Sequence, residues 1–160
     1  MDWRLELLFA AHLLLAAFLG AFIGLEREKH VGLAGIRTHA AVALGACLFG
    51  FISFNIASPI SIDHLAIREA DPARVAAQIV SGIGFLGAGV ILRDKGHIRG
   101  LTTAASLWAT ASIGLAVANR MYILAITATL IILGLLSLYR VPGWYTWRSK
   151  NRGSHRQIED

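Results

Sequence analysis

Five stretches of this chain carry almost no charge: residues 7–25, 40–57, 75–92, 101–118 and 121–139. Each is 18 or 19 residues long. As a helix, such a run is about 27 Å long, close to the roughly 30 Å hydrocarbon thickness of a bilayer. The pattern therefore predicts five membrane-spanning helices in an all-α, polytopic protein, with no room for a separate soluble domain. The five-span domain covers 1–142, and 143–160 is an interfacial aromatic segment (Trp144, Tyr145, Trp147) with a polar tail.

Polar and small residues recur at helical spacing inside these runs. In the first, His12, Ala16, Gly20 and Gly24 follow at intervals of four and share one face. Around the start of the third, Asp71, Arg74, Gln78 and Gly82 follow at three, four and four. Thr103, Ser106, Thr110 and Gly114 repeat that rhythm in the fourth, with Trp108 off the stripe. The third run is dense in glycine, at Gly82, Gly84, Gly87 and Gly89. Small residues let membrane helices approach closely, so these four, with Gly20, Gly24 and Gly114, are the expected packing positions. A polar seam is expected between the hydroxyl face of the fourth span and the glycine face of the third.

Composition supports this reading, at 56% hydrophobic and 16% charged. The first span is expected to stay uncleaved, since a secretory signal has a basic leader and a shorter apolar core. Cys47 is the only cysteine, which excludes an intrachain disulfide, and it is expected to be a small buried side chain. Sidedness comes from lysine and arginine alone. With five spans, Arg4, Arg68, Arg74 and Arg120 fall on one side and the other eleven basic residues on the opposite side. The positive-inside rule then puts the amino terminus outside and the carboxyl terminus in the cytoplasm. The net charge of +5 reads as orientation and attraction to anionic headgroups, and calls for no nucleic-acid partner.

Candidate chemistry is sparse. Gly82, Gly84 and Gly87 spell G-x-G-x-x-G, but no strand is expected before them, and Thr102 and Thr103 stand where a dinucleotide site needs an acid. Glu26, at the end of the first span, can turn its carboxylate into the mouth of the bundle and pair with Arg27 or Arg37; an unpaired charge there costs about 2.5–3.5 kcal/mol. Asp71, Arg74 and Gln78 could form an outward vestibule, with Asp71 a weak candidate for a metal ligand; the simpler use of Asp71 is to cap its helix. His12 reads as a hydrogen-bonded interior histidine. Glu26 and His30 lack a nucleophile or acid–base partner, so no enzyme and no cofactor are expected.

Four segments carry a family resemblance: GAFIGLERE at 20–28, GIRTH at 35–39, DPARVAAQIVSGIGFLGAGVIL at 71–92 and GLTTAASLWATASIG at 100–114. Together they resemble the MgtC/SapB family of bacterial inner-membrane proteins, in the form that lacks a cytosolic regulatory domain. The resemblance implies a five-span domain and a link to low-magnesium survival or stress. It also implies regulation of another membrane complex, of which the proton-translocating ATP synthase is the example. Glu26, Arg37, Asp71 and Arg74 match the family's recurring charged positions. The family also favours glycines near the end of the fourth span, where this chain has Ala118 and Arg120, a departure that bears against a tightly packed turn there. Regulation through a membrane partner, transport of a divalent cation or small solute, and a structural or lipid-organising role are the competing functions. A homo-oligomer is a further candidate partner, one that would supply more ligands for transport.

Overall fold

The computed structural model describes residues 3–29, 32–57, 71, 73–94 and 97–138, with backbone only at 55–57 and 94. The aromatic segment, the polar tail, His30 and the loop before Asp71 lie outside the described residues. Five helices are described: α1 (Trp3–Glu28), α2 (Ile36–Ala57), α3 (Ala73–Val90), α4 (Leu101–Ala118) and α5 (Tyr122–Ser137). The first four are long and apolar enough to cross a membrane, and α5 is a shorter apolar helix of 16 residues. The chain is thus a multi-pass α-helical membrane protein.

Helix ends depart from the apolar runs where polar side chains extend them. The first run grows by about a turn at each end. α2 starts four residues early because the Glu28 carboxylate accepts the Ile36 N–H at 3.1 Å, satisfying one of the donors a helix start leaves open. α3 stops two residues early, and the charged segment after it contains a hairpin of β1 (Leu92–Asp94) and β2 (His97–Arg99), antiparallel with Arg93 opposite Ile98. The hairpin returns through Gly100 at φ 87°, where a Cβ would stand 1.9 Å from the Val90 carbonyl oxygen, so only glycine fits this corner.

α1, α2 and α4 form the tight centre of the bundle, α3 lies at its edge mainly on α4, and α5 packs on α4 and α1. The face His12, Ala16, Gly20, Gly24 is buried as its spacing predicts. A Cβ on Gly20 would come within 2.5 Å of the His39 carbonyl oxygen, and one on Gly114 within 2.2 Å of the Ala43 carbonyl oxygen. One turn of α2 is therefore clamped between glycines on two other helices. Gly24 meets Ile36 and Gly35 equally closely. Around the clamp, Ala16, Ile23, Cys47, Phe51, Ile113 and Val117 form the apolar core. Trp108 stays exposed, off the packed stripe.

The turn from α4 to α5 is tight despite lacking the family's glycines. Arg120 N–H bonds to Val117 O at 2.9 Å and Met121 N–H to Ala116 O at 2.9 Å, the paired bonds of a Schellman end. Arg120 sits at φ 58°, in the left-handed region. Replacing it with glycine, Arg120→Gly, should stabilise the protein by about 1 kcal/mol. A denaturant titration in detergent checks this.

Candidate functional site

The largest set of buried polar groups lies at the end of the bundle where α1 finishes and α2 and α4 begin. His39, four residues into α2, is fully buried. Its Nδ1 lies 2.9 Å from Gly35 O and its Nε2 3.0 Å from Ser106 Oγ. Ser106 Oγ also lies 2.9 Å from Thr103 O, and Thr110 donates to Ser106 O at 2.7 Å. Arg27 donates to Thr103 Oγ1 at 3.2 Å from the end of α1. Three helices are tied by one chain of hydrogen bonds.

The chemistry of that chain depends on one proton. Nδ1–H faces a carbonyl and must donate, so in neutral His39 Nε2 accepts from the Ser106 hydroxyl. Ser106 then has no proton left for Thr103 O. With His39 doubly protonated, Nε2–H donates to Ser106, whose own proton turns to Thr103 O, and both bonds form together. The network thus holds either state by rotation of one hydroxyl.

Thr103, Ser106 and Thr110 are buried on one face, as their spacing predicts. Their partner differs from the expectation: the seam runs between α4 and α2, and the glycine face of α3 takes no part in it. The physical reason is the clamp, because Gly114 brings α4 onto Ala43 and thereby sets Ser106 against His39. Glu26 is buried at the same end, as the sequence suggests, with Oε2 4.0 Å from Lys29 Nζ, one turn along its own helix. Arg37 is exposed. His39 and Glu28 are the participants that sequence reading missed. His39 falls in register with Gly35, Ala43 and Cys47 on one α2 face, and that small-residue stripe with a lone imidazole was the available signal.

Asp71, Arg74 and Gln78 are all exposed. Asp71 Oδ1 accepts the Ala73 N–H at 2.9 Å, so its carboxylate is spent on capping α3 and the three do not close a vestibule. Among the described residues, no three His, Cys, Asp or Glu side chains come together as a metal-binding group. At the opposite end of the bundle, His12 is buried with Nδ1 2.5 Å from Leu8 O and Nε2 bonded to the Tyr122 hydroxyl, the interior histidine its position predicts.

A second feature lies on the side of the bundle. An apolar groove of about 540 Å³ runs between α2 and α3, walled by Val42, Phe49, Ile79 and Leu86, with Gly45 and Gly82 at its floor and Gln78 on its lining. Among the described residues, a Cβ on Gly45, Gly82, Gly84 or Gly89 would meet nothing within 4 Å. Of the four α3 glycines only Gly87 packs against another described residue, 3.6 Å from the Ala104 methyl group. The other three face outward, along a helix that is the least buried of the four long ones.

Comparison with known proteins shows which family the chain belongs to. The MgtC family model matches residues 13–142. Over 151 residues the chain is 40% identical to the putative magnesium transporter YhiD of Escherichia coli K12, covering 94% of this chain and 67% of that protein. It is 48% identical over 125 residues to the protein MgtC of Salmonella typhimurium LT2, covering 78% of this chain and 49% of MgtC. An uncharacterized protein of Haemophilus influenzae is 43% identical over 149 residues, 92% of this chain and 62% of its own length. The chain therefore spans between about half and two thirds of these relatives. No solved structure matches it. From the model match and these identities, the chain belongs to the MgtC family.

Proposed function

We propose that this chain is a bacterial inner-membrane protein that regulates magnesium-related homeostasis or stress adaptation by docking another membrane complex against its α2–α3 face. The amino terminus is outside and the basic end, with the His39 network, faces the cytoplasm, as the lysine and arginine count requires. The name of its relative YhiD supports the magnesium link. The partner proposed is the ATP synthase, the complex that the family resemblance suggests.

One observation carries the docking reading. Among the described residues, Gly82, Gly84 and Gly89 touch no other helix, yet each glycine costs a helix about 1 kcal/mol relative to alanine. Gly20, Gly24 and Gly114 offset that cost by letting backbones meet. On α3 a helix from another protein would supply the same offset, and the groove beside Gly82 has room for its side chains.

Co-purification in mild detergent tests this. Gly45→Leu and Gly82→Leu, both in the groove lining, should leave the fold and yield unchanged, because no described residue lies within 4 Å of a Cβ at either position, while recovery of ATP synthase falls at least tenfold. Equal recovery from wild type and variants would refute the groove as the docking face.

A second reading, transport of magnesium or a small solute, draws on the name of YhiD and on the buried polar groups that run from Arg27 to Thr110. Magnesium gives up its water reluctantly and binds through carboxylate oxygens, whereas this column offers hydroxyls, an imidazole and a guanidinium, with Glu26 as the single buried carboxylate among the described residues at that end. Flux of magnesium, other cations, protons and small solutes into proteoliposomes separates the readings. Saturable flux that is lost in Asp71→Asn would replace the docking account.

A further inference from the structure

A separate cavity of about 540 Å³ opens where α1 ends, the hairpin turns back and α4 begins. Its charged lining residues are Arg27 and Arg99, with the hydroxyl-bearing Thr102 and Thr103 beside them. No acidic side chain of the described residues lines it; Glu28 is turned to the start of α2, while Glu26, outside the lining, lies 4.0 Å from Lys29 Nζ and close enough to Arg27 for its charge to act on the guanidinium. Arg27 is only partly used. One terminal nitrogen donates to Thr103, while its Nε is fully buried without a hydrogen-bond partner among the described residues. Arg27 thus brings to the cavity wall a guanidinium whose donors are not all matched within the fold.

The remaining wall selects among anions. Leu33, Leu92 and Ile98 line the same space and are each more than half exposed. Arginine forks fit phosphate oxygens in a bidentate manner. Two arginines beside an exposed aliphatic rim are matched to a phosphate with an apolar body attached. The start of α4 adds a favourable field, since Gly100 provides no side-chain cap there.

We propose that this cavity binds a phosphate group, borne on an anionic lipid or free in solution. The site is distinct from the α2–α3 groove and does not depend on the docking reading. The test uses the full chain purified in detergent. Native mass spectrometry counts retained phosphatidylglycerol against phosphatidylcholine, and a thermal-shift titration with inorganic phosphate runs in parallel. The expected result is one retained phosphatidylglycerol per chain, with affinity at least tenfold weaker in Arg99→Gln and unchanged in Arg120→Gln, at the other end of the bundle. Stabilisation by inorganic phosphate that is lost in Arg99→Gln, without lipid retention, assigns the free anion as the source. Arg27→Gln also breaks the bond to Thr103, so exposed Arg99 carries the decision. If neither ligand binds, or if Arg99→Gln binds both as wild type does, the site is refuted.

Discussion

Gly114→Leu is expected to prevent the bundle from assembling. A Cβ there would stand 2.2 Å from the Ala43 carbonyl oxygen, 3.0 Å from the Ala43 carbonyl carbon and 3.0 Å from the Ala46 methyl group. Two of these are backbone atoms, which no rotamer change can move. Overpacking of a core costs about 1–3 kcal/mol when side chains can give way. Here α4 must separate from α2, so Gly114→Ala should cost about 3 kcal/mol and leucine most of the stability of a small domain, roughly 5–15 kcal/mol in all. Size-exclusion profiles in detergent with thermal melting read this directly. Gly134→Leu is the control: no described residue lies within 4 Å of its would-be Cβ, and it should behave as wild type. If both variants run as folded monodisperse protein, the clamp is not what holds α2.

His39→Leu is expected to produce the second-largest loss, about 2 kcal/mol. The substitution removes the bonds to Gly35 O and Ser106 Oγ from a fully buried site. Interhelical hydrogen bonds in membranes average about 0.6 kcal/mol and reach about 1.7, so the bonds alone do not account for the loss; the remainder is packing around an imidazole held between α1 and α4. A double-mutant cycle of His39→Leu with Ser106→Ala isolates the pair. It should give a coupling of about 0.6–1.7 kcal/mol, whereas a value near zero would mean that the two side chains are neighbours without a bond.

Much of this architecture is legible in the sequence because hydropathy and the 3.6-residue period act locally. The five apolar runs, the buried face His12 to Gly24 and the hydroxyl stripe Thr103 to Thr110 all follow from spacing alone. What spacing does not contain is the identity of the neighbour. Ser106 meets His39 across 67 positions, and Glu28 caps a helix eight residues ahead, so both depend on how the helices are arranged. The α3 glycines show the limit most clearly: their density marks a contact face, yet among the described residues only Gly87 has a partner. Asp71 reads in the sequence as either cap or ligand, and its Oδ1 takes the Ala73 N–H at 2.9 Å, a capping bond. The hairpin at 92–99 escaped because six paired residues of mixed charge carry no alternation to detect.

The most direct measurement is photo-cross-linking from inside the groove. A benzophenone amino acid at Phe49, which walls the groove, should form an adduct with a membrane subunit of the ATP synthase, and one at Ile123 on the exposed face of α5 should not. Adducts of equal yield from both positions, or only self-adducts from Phe49, would contradict the account and leave the α2–α3 face as a lipid or oligomer contact.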